Sequence, residues 1–346
     1  MQRMSCPVLF LLGVLAVAAV FIGLDIRFVA TTTTTCEGAI QHCADQFQVS
    51  SEQWQSRSRQ RELASKMGGI RSGRSTYDLW EPEWTCPVED RVGGMFGDGG
   101  KFVCGMPYLA QKQDCLVYSV GSALNDAFER DVLKWVPHCE VHTFDPTVDP
   151  VQAEAMARTG GYSFHSEGVS GKQTSGSTLK HGLLHTLNEI RASLGHTGRT
   201  LDILKIDCEG CEWEALGELF ELCGGPDEFP INQIQVEVHG IHDLKLGKNQ
   251  YPKIKRFFDG ADKCGLMIFH KERNHWGCDG YKYSQPPSLH STFPIPNTSS
   301  YYLLPPCRCL EYALVQQSWA TTVFHQAYCP YTPLPPSSPH FSLASP

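Results

Sequence analysis

Apolar residues in this chain recur in two rhythms. CLVYSVG at 115–121 is an almost unbroken apolar run of strand length, and it reads as a buried strand. LNDAFERDVLKWV at 124–136 spaces its apolar positions three or four apart, which predicts an amphipathic helix. The alternation then repeats. EVHTFDP (140–146) reads as a strand halted by Pro146, residues 150–158 as a helix, and YSFHSEGV (162–169) as a weaker strand. GLLHTLNEIRASLG (182–195) carries its leucines and Ile190 on one side and predicts a helix. LDILKID (201–207) predicts a strand, and a helix follows from about 211. INQIQVEVHG (231–240) is a further strand, followed by a helix near 250–263 and a strand at GLMIFHKE (265–272). Residues 273–308 interrupt the pattern as a loop insertion rich in Pro, Ser and Tyr, and CLEYALV (309–315) offers one last strand. This order predicts an α/β fold: a doubly wound, mostly parallel sheet with helices on both faces.

The ends follow other rules. Residues 7–24 carry no charge and Arg3 precedes them, so segment 1–30 reads as a signal anchor or a signal peptide. Ala16-Val17-Ala18 would serve as the cleavage site in the second case. Residues 31–80 read as a polar stem, 81–316 as the folded domain, and 331–346 as a disordered Pro/Ser-rich tail. Of fifteen cysteines, fourteen lie beyond the apolar run, a count that suits an oxidising lumen and disulfide bonds. Asn297-Thr298-Ser299 is a glycosylation sequon. Together these features predict a single-pass membrane protein facing the Golgi or ER lumen, or a secreted one if the segment is cleaved. The formal charge of −8 argues against nucleic acid as a partner.

In a doubly wound sheet, ligands bind beyond the carboxyl ends of the strands, where strand order reverses. Gly121, directly after the first strand, lets the backbone approach a ligand. Asp145 ends the second strand, where an acid can accept from two ribose hydroxyls or simply close a turn before Pro146. Strand alternation places Lys205 and Asp207 on one face, with Asp207 at the tip, Glu209 in the turn and Gly210 permitting its bend. Glu212 and Glu214 fall in the first turn of the next helix, where negative charge suits the dipole. Glu237 and His239 share a face at the end of the following strand. There His239 is either a general base or a core-edge histidine bonded to Glu237. Cys278, Cys307 and Cys309 could hold a metal, but disulfides are the expected use and no metal is expected.

Five segments together resemble one family. DGGKFVC (98–104), CLVYSVGSALNDAFERD (115–131), CEVHTFDPT (139–147), LDILKIDCEGCEWEAL (201–216) and CLEYALV (309–315) look like the methyltransferase-like protein 24 group. That group is related to the FkbM-type O-methyltransferases. The resemblance implies a Rossmann-like class I methyltransferase sheet whose last strand is antiparallel, and S-adenosyl-L-methionine as methyl donor. It implies Gly121 beneath the methionine part of the donor, Asp145 on its ribose, and Asp207 with Glu209 at the boundary between donor and substrate. Glu129 matches an acid after the glycine turn and is carried over as a cofactor contact, whereas Asp98 to Lys101 match a stretch without an assigned role. Cys208 and Cys211 depart from the pattern; they form either a redox pair or disulfide, or two small buried cysteines, and the latter is the expectation. The implied activity is O-methyl transfer to a hydroxyl-bearing acceptor (a glycan, protein or small molecule). His239 is the first candidate base, and Asp207 and Glu209 are the next. The competing reading is a catalytically inactive binding module on the same fold.

Overall fold

The computed structural model describes residues 80–95, 97–239, 250–273 and 309–328, with Ser56, Arg59, Gln60 and Leu63 ahead of them. The apolar run at 7–24, nearly all of the stem, the sequon, residues 274–308 and the tail lie outside the described residues. Among the described residues no helix is long and apolar enough to cross a membrane.

A hairpin opens the domain, with β1 (Glu89–Val92) antiparallel to β2 (Lys101–Cys104), and the one-turn α1 (Met106–Leu109) follows. Next come β3 (Leu116–Val120), α2 (Ala127–Trp135), β4 (Glu140–Phe144), α3 (Pro150–Gly160) and β5 (Ser163–His165). A small sheet follows, made of β6 (Glu167–Val169), β7 (Thr178–Leu179) and β8 (Gly182–His185). The chain continues through α4 (Leu187–Ser193), β9 (Ile203–Ile206), α5 (Glu212–Leu222), β10 (Gln233–His239), α6 (Gln250–Lys263) and β11 (Leu266–Arg273). It closes with β12 (Cys309–Gln316) and α7 (Gln317–Tyr328).

The main sheet has seven strands in the order β11-β12-β10-β9-β3-β4-β5. Strands β5, β4, β3, β9 and β10 are parallel, and β12 runs antiparallel between β10 and β11. This is the Rossmann-like class I methyltransferase sheet, with its last strand reversed as expected. One face packs Leu116, Tyr118, Phe144, Leu204 and Ile206 against α4, α5 and α6. The other packs Val117, Val141 and Ile203 against Met106 of α1 and Phe128 and Val132 of α2. Both faces are covered, which is why the central strands read as continuous apolar runs rather than alternating ones.

Two expectations need correction. Residues 182–185 form β8 and not the start of a helix. The helix begins after Thr186, whose hydroxyl accepts from the Glu189 backbone N–H while the Glu189 carboxylate accepts from the Thr186 N–H. The segment 162–169 is also two strands: β5 joins the main sheet and β6 leaves it to pair with β8. A smaller difference is that α2 starts at Ala127 because Ala123 and Leu124 take left-handed backbone angles (φ 47° and 63°).

Strand order reverses between β3 and β9, so Gly121 and Asp207 end adjacent strands. The Gly121 N–H donates to Phe144 O at 2.9 Å and the Asp207 N–H to Val120 O at 2.9 Å. Gly121 has φ 79°, and a Cβ there would lie 1.7 Å from the Asp207 carbonyl oxygen. The glycine is therefore required by the neighbouring strand before any ligand is considered. Gly121→Ala should lower the free energy of unfolding by roughly 2–4 kcal/mol, combining left-handed strain with overpacking, as read from denaturant midpoints.

Candidate active site

Strand β2 runs alongside β10 and β12, and the Gln233 side chain at the start of β10 grips it. Its amide donates to Cys104 O at 2.7 Å and its oxygen accepts from the Cys104 N–H at 2.8 Å. That placement drives Lys101 inward until its side chain is only 2% exposed. Its ammonium lies 2.8 Å from Glu311 Oε1, 3.1 Å from Glu237 Oε2 and 3.5 Å from Asp207 Oδ2. Glu237 and Glu311 are directly opposed in the β10–β12 register, where like charges repel unless a cation stands between them.

The charges settle accordingly. Burial works against the Lys101 charge, but Glu311, Asp207 and Glu237 outweigh it and hold its pKa well above the ordinary lysine value. Burial pushes Glu311 up to about 8 despite the pull of Lys101, and it raises Glu237 as well. Asp207 goes the other way. Burial opposes its charge, yet Lys101, Lys205 and His239 together keep its carboxyl below the usual range. Lys205 also donates to Gly121 O, tying the glycine turn to β9.

His239 is enclosed by acids. Its Nδ1 is 3.2 Å from Glu212 Oε1, and its backbone N–H donates to the same oxygen at 2.8 Å. Its Nε2 lies 3.5 Å from Glu237 Oε1, 3.6 Å from Glu209 Oε2 and 3.8 Å from Asp207 Oδ1. Burial disfavours the imidazolium, but the Glu212 hydrogen bond and charge, with Glu237 and Glu209, raise its pKa to about 9. A pKa raised in this way favours the imidazolium at neutral pH, and that form has no lone pair to offer. Glu212 is more than a helix-start acid. It is fully buried and holds both His239 and, at 2.8 Å, the Gly210 N–H.

The turn between β9 and α5 is closed by a Cys208–Cys211 disulfide, which corrects the expectation of two independent buried cysteines. Inside it Glu209 takes φ 57°, and its side chain is 87% exposed over His239. Asp145 is buried and its oxygens are engaged. Oδ2 accepts from the Ser122 and Ala123 N–H groups at 2.9 Å and from Ser122 Oγ at 3.2 Å. Oδ1 accepts from the Thr147 N–H at 2.8 Å and from Thr147 Oγ1 at 2.6 Å. Burial opposes its charge, but these bonds from Thr147, Ser122 and Ala123 leave its pKa low. Glu129 is fully buried on α2, with Oε1 accepting from Thr143 Oγ1 of β4 at 3.3 Å.

The geometry thus brings Gly121, Asp145, Asp207, Glu209 and His239 to one edge of the sheet, and adds Lys101, Lys205, Glu212 and Glu311. Lys101→Met should destabilise the fold by about 3–5 kcal/mol at neutral pH, since it strands buried carboxylates, and part of that loss should be recovered in acid. Because the folded pKa values of His239 and Glu311 are raised, their stabilisation is present at low pH and fades as pH rises through about 9 and 8. The thermal midpoint should therefore fall between pH 6.5 and 9, with His239 accounting for on the order of 2 kcal/mol, and His239→Gln should flatten that slope.

Comparison with known proteins identifies the family. A family model described as a methyltransferase domain matches residues 43–285. No curated protein sequence matches the chain. Among solved structures it is similar to a candidate rRNA-methylase from Clostridium thermocellum at 10% identity, covering 61% of this chain and 94% of that one, TM-score 0.32. It is similar to M. jannaschii TYW2 in complex with AdoMet at 10% identity, covering 61% and 73%, TM-score 0.28. The riboflavin-analogue dimethyltransferase RosA from Streptomyces davawensis matches at 10% identity, covering 47% and 46%, TM-score 0.26. Likenesses at this level leave the assignment to the strand order and to the family match, which spans more than half of the chain. The chain belongs to the methyltransferase-domain family.

Proposed function

We propose that the chain is an S-adenosyl-L-methionine-dependent O-methyltransferase of the methyltransferase-like protein 24 group, acting in the secretory pathway on a hydroxyl-bearing acceptor. One observation carries the reading: Asp207, ionised and part-open, ends a strand at the switch point directly beside Gly121. Asp145 suits the donor's ribose. Each of its oxygens bonds one side-chain hydroxyl, Ser122 Oγ or Thr147 Oγ1, and two vicinal ribose hydroxyls would replace these like for like. The acids at the cleft also favour a cationic ligand.

When bound, the donor supplies a methyl group already activated by its sulfonium charge. The chain must align the acceptor and exclude water. A hydroxyl becomes strongly acidic as its oxygen acquires the new bond, so a carboxylate of low basicity suffices to take the proton. Asp207 has that role here, with Glu209 at the entrance. His239, as a cation, faces both carboxylates and offsets their charge. The three disulfides of the described residues, Cys86–Cys104, Cys115–Cys139 and Cys208–Cys211, support an oxidising lumen as the site of action, reached through an N-terminal anchor or signal.

Calorimetric titration of the secreted, disulfide-intact chain with adenosylmethionine and its demethylated product should show binding that Asp145→Ala abolishes. Asp207→Asn should retain donor affinity within a few-fold while lowering methyl transfer about 100-fold or more. Well-folded protein that binds neither ligand would overturn the reading. Binding without transfer to any hydroxyl acceptor would favour the inactive binding module.

A further inference from the structure

A second constellation lies at the amino-terminal end of the same sheet. Glu140 and His142 are two positions apart on β4 and so share a face. His196 reaches them from the turn after α4. That turn is shaped by the buried Arg191, whose guanidinium donates to the carbonyls of His196, Thr197 and Arg199 at 3.4, 3.3 and 2.7 Å. Glu140 Oε1 lies 2.9 Å from His142 Nε2 and 3.1 Å from His196 Nε2. Its other oxygen is held by Arg199.

We propose that Glu140, His142 and His196 form a binding site for a divalent transition metal of the zinc class, separate from the methyl-transfer cleft. The donor set is two imidazole nitrogens and one carboxylate oxygen, which suits zinc and leaves a fourth position for water. Ligand atoms about 2.0–2.1 Å from a tetrahedral zinc stand about 3.3 Å apart; the two nitrogen–carboxylate spacings here are 2.9 and 3.1 Å, and the three ligand atoms lie within 4.8 Å of one another. Each histidine also has its remote nitrogen engaged, as metal ligands require. His142 Nδ1 is 2.9 Å from His165 Nε2, and His196 Nδ1 is 2.7 Å from the Tyr118 hydroxyl. With metal bound, both Nδ1–H groups donate to these partners and both Nε2 lone pairs turn inward. Without metal, the opposite tautomers donate from Nε2 to Glu140 and accept at Nδ1. The surroundings satisfy either state, so uptake goes with a tautomer exchange at each histidine. The histidines are buried at 8% and 7% exposure, whereas Glu140 is 43% exposed and marks the way in from solvent.

The test is titration of the secreted, disulfide-intact chain with zinc ion alone after chelator treatment, followed by cobalt(II) substitution. One equivalent should bind to the wild-type chain, raise its thermal midpoint and give the absorption of a tetrahedral cobalt site. Glu140→Gln and His196→Gln should each weaken binding at least tenfold, while His239→Gln, in the other cluster of histidine and acids, should leave it unchanged. Folded wild-type protein that takes up neither ion, or that loses uptake only in His239→Gln, overturns the proposal. If the His196 variant does not fold, Glu140→Gln, at a half-exposed position, decides: unchanged cobalt uptake in that variant overturns the proposal.

Discussion

The site rests on one ammonium group. Lys101 is almost fully buried, and three carboxylates from β9, β10 and β12 converge on it. An ion pair this deep loses much of its attraction to desolvation, so it is not there for stability alone. It permits Glu237 and Glu311 to stand opposite each other on paired strands. Through them it fixes β10 beside β12 and sets the charge felt by Asp207. Remove the ammonium, and burial pushes both glutamates further towards their protonated forms.

A second layer of charge is built outward from this centre. His239 faces Glu237 on one side and Glu212 on the other, and Glu212 in turn grips the Gly210 amide of the disulfide-closed turn. Cation and anion thus alternate from the buried lysine to the exposed Glu209. The exposed end is anionic, so the cleft presents negative charge to solvent while its interior is nearly neutralised. That is a suitable gradient for drawing in a cationic ligand without burying an unpaired acid.

Much of this architecture is legible in the sequence, and the exceptions have physical causes. The strands at 116–120, 140–144, 203–206 and 233–239 were readable because both sheet faces are covered, which leaves uninterrupted apolar runs. Residues 182–185 misled because Leu183 and Leu184 also fit the helical stripe of the segment that follows; only the Thr186 to Glu189 capping pair marks the boundary. Gly121, Asp145 and Asp207 were legible as strand-end residues. Lys101 was not, for a lysine at the head of a short strand is usually solvated, and its partner Glu311 lies 210 positions away. His239 was found, but its protonation state was not, because that depends on Glu212 arriving from another element.

The lysine and its glutamate also impose an order on folding. β12 inserts between β10 and β11, and it brings Glu311 from near the end of the described chain to a lysine carried by the second strand. A nascent chain therefore exposes Lys101, Asp207 and Glu237 long before the last carboxylate is synthesised, and the edge of β10 stays unpaired until then. Such a long-range closure is slow by nature. The charge centre can be completed only after nearly the whole domain has left the ribosome, so a product that ends before β12 lacks Glu311 and with it a finished site.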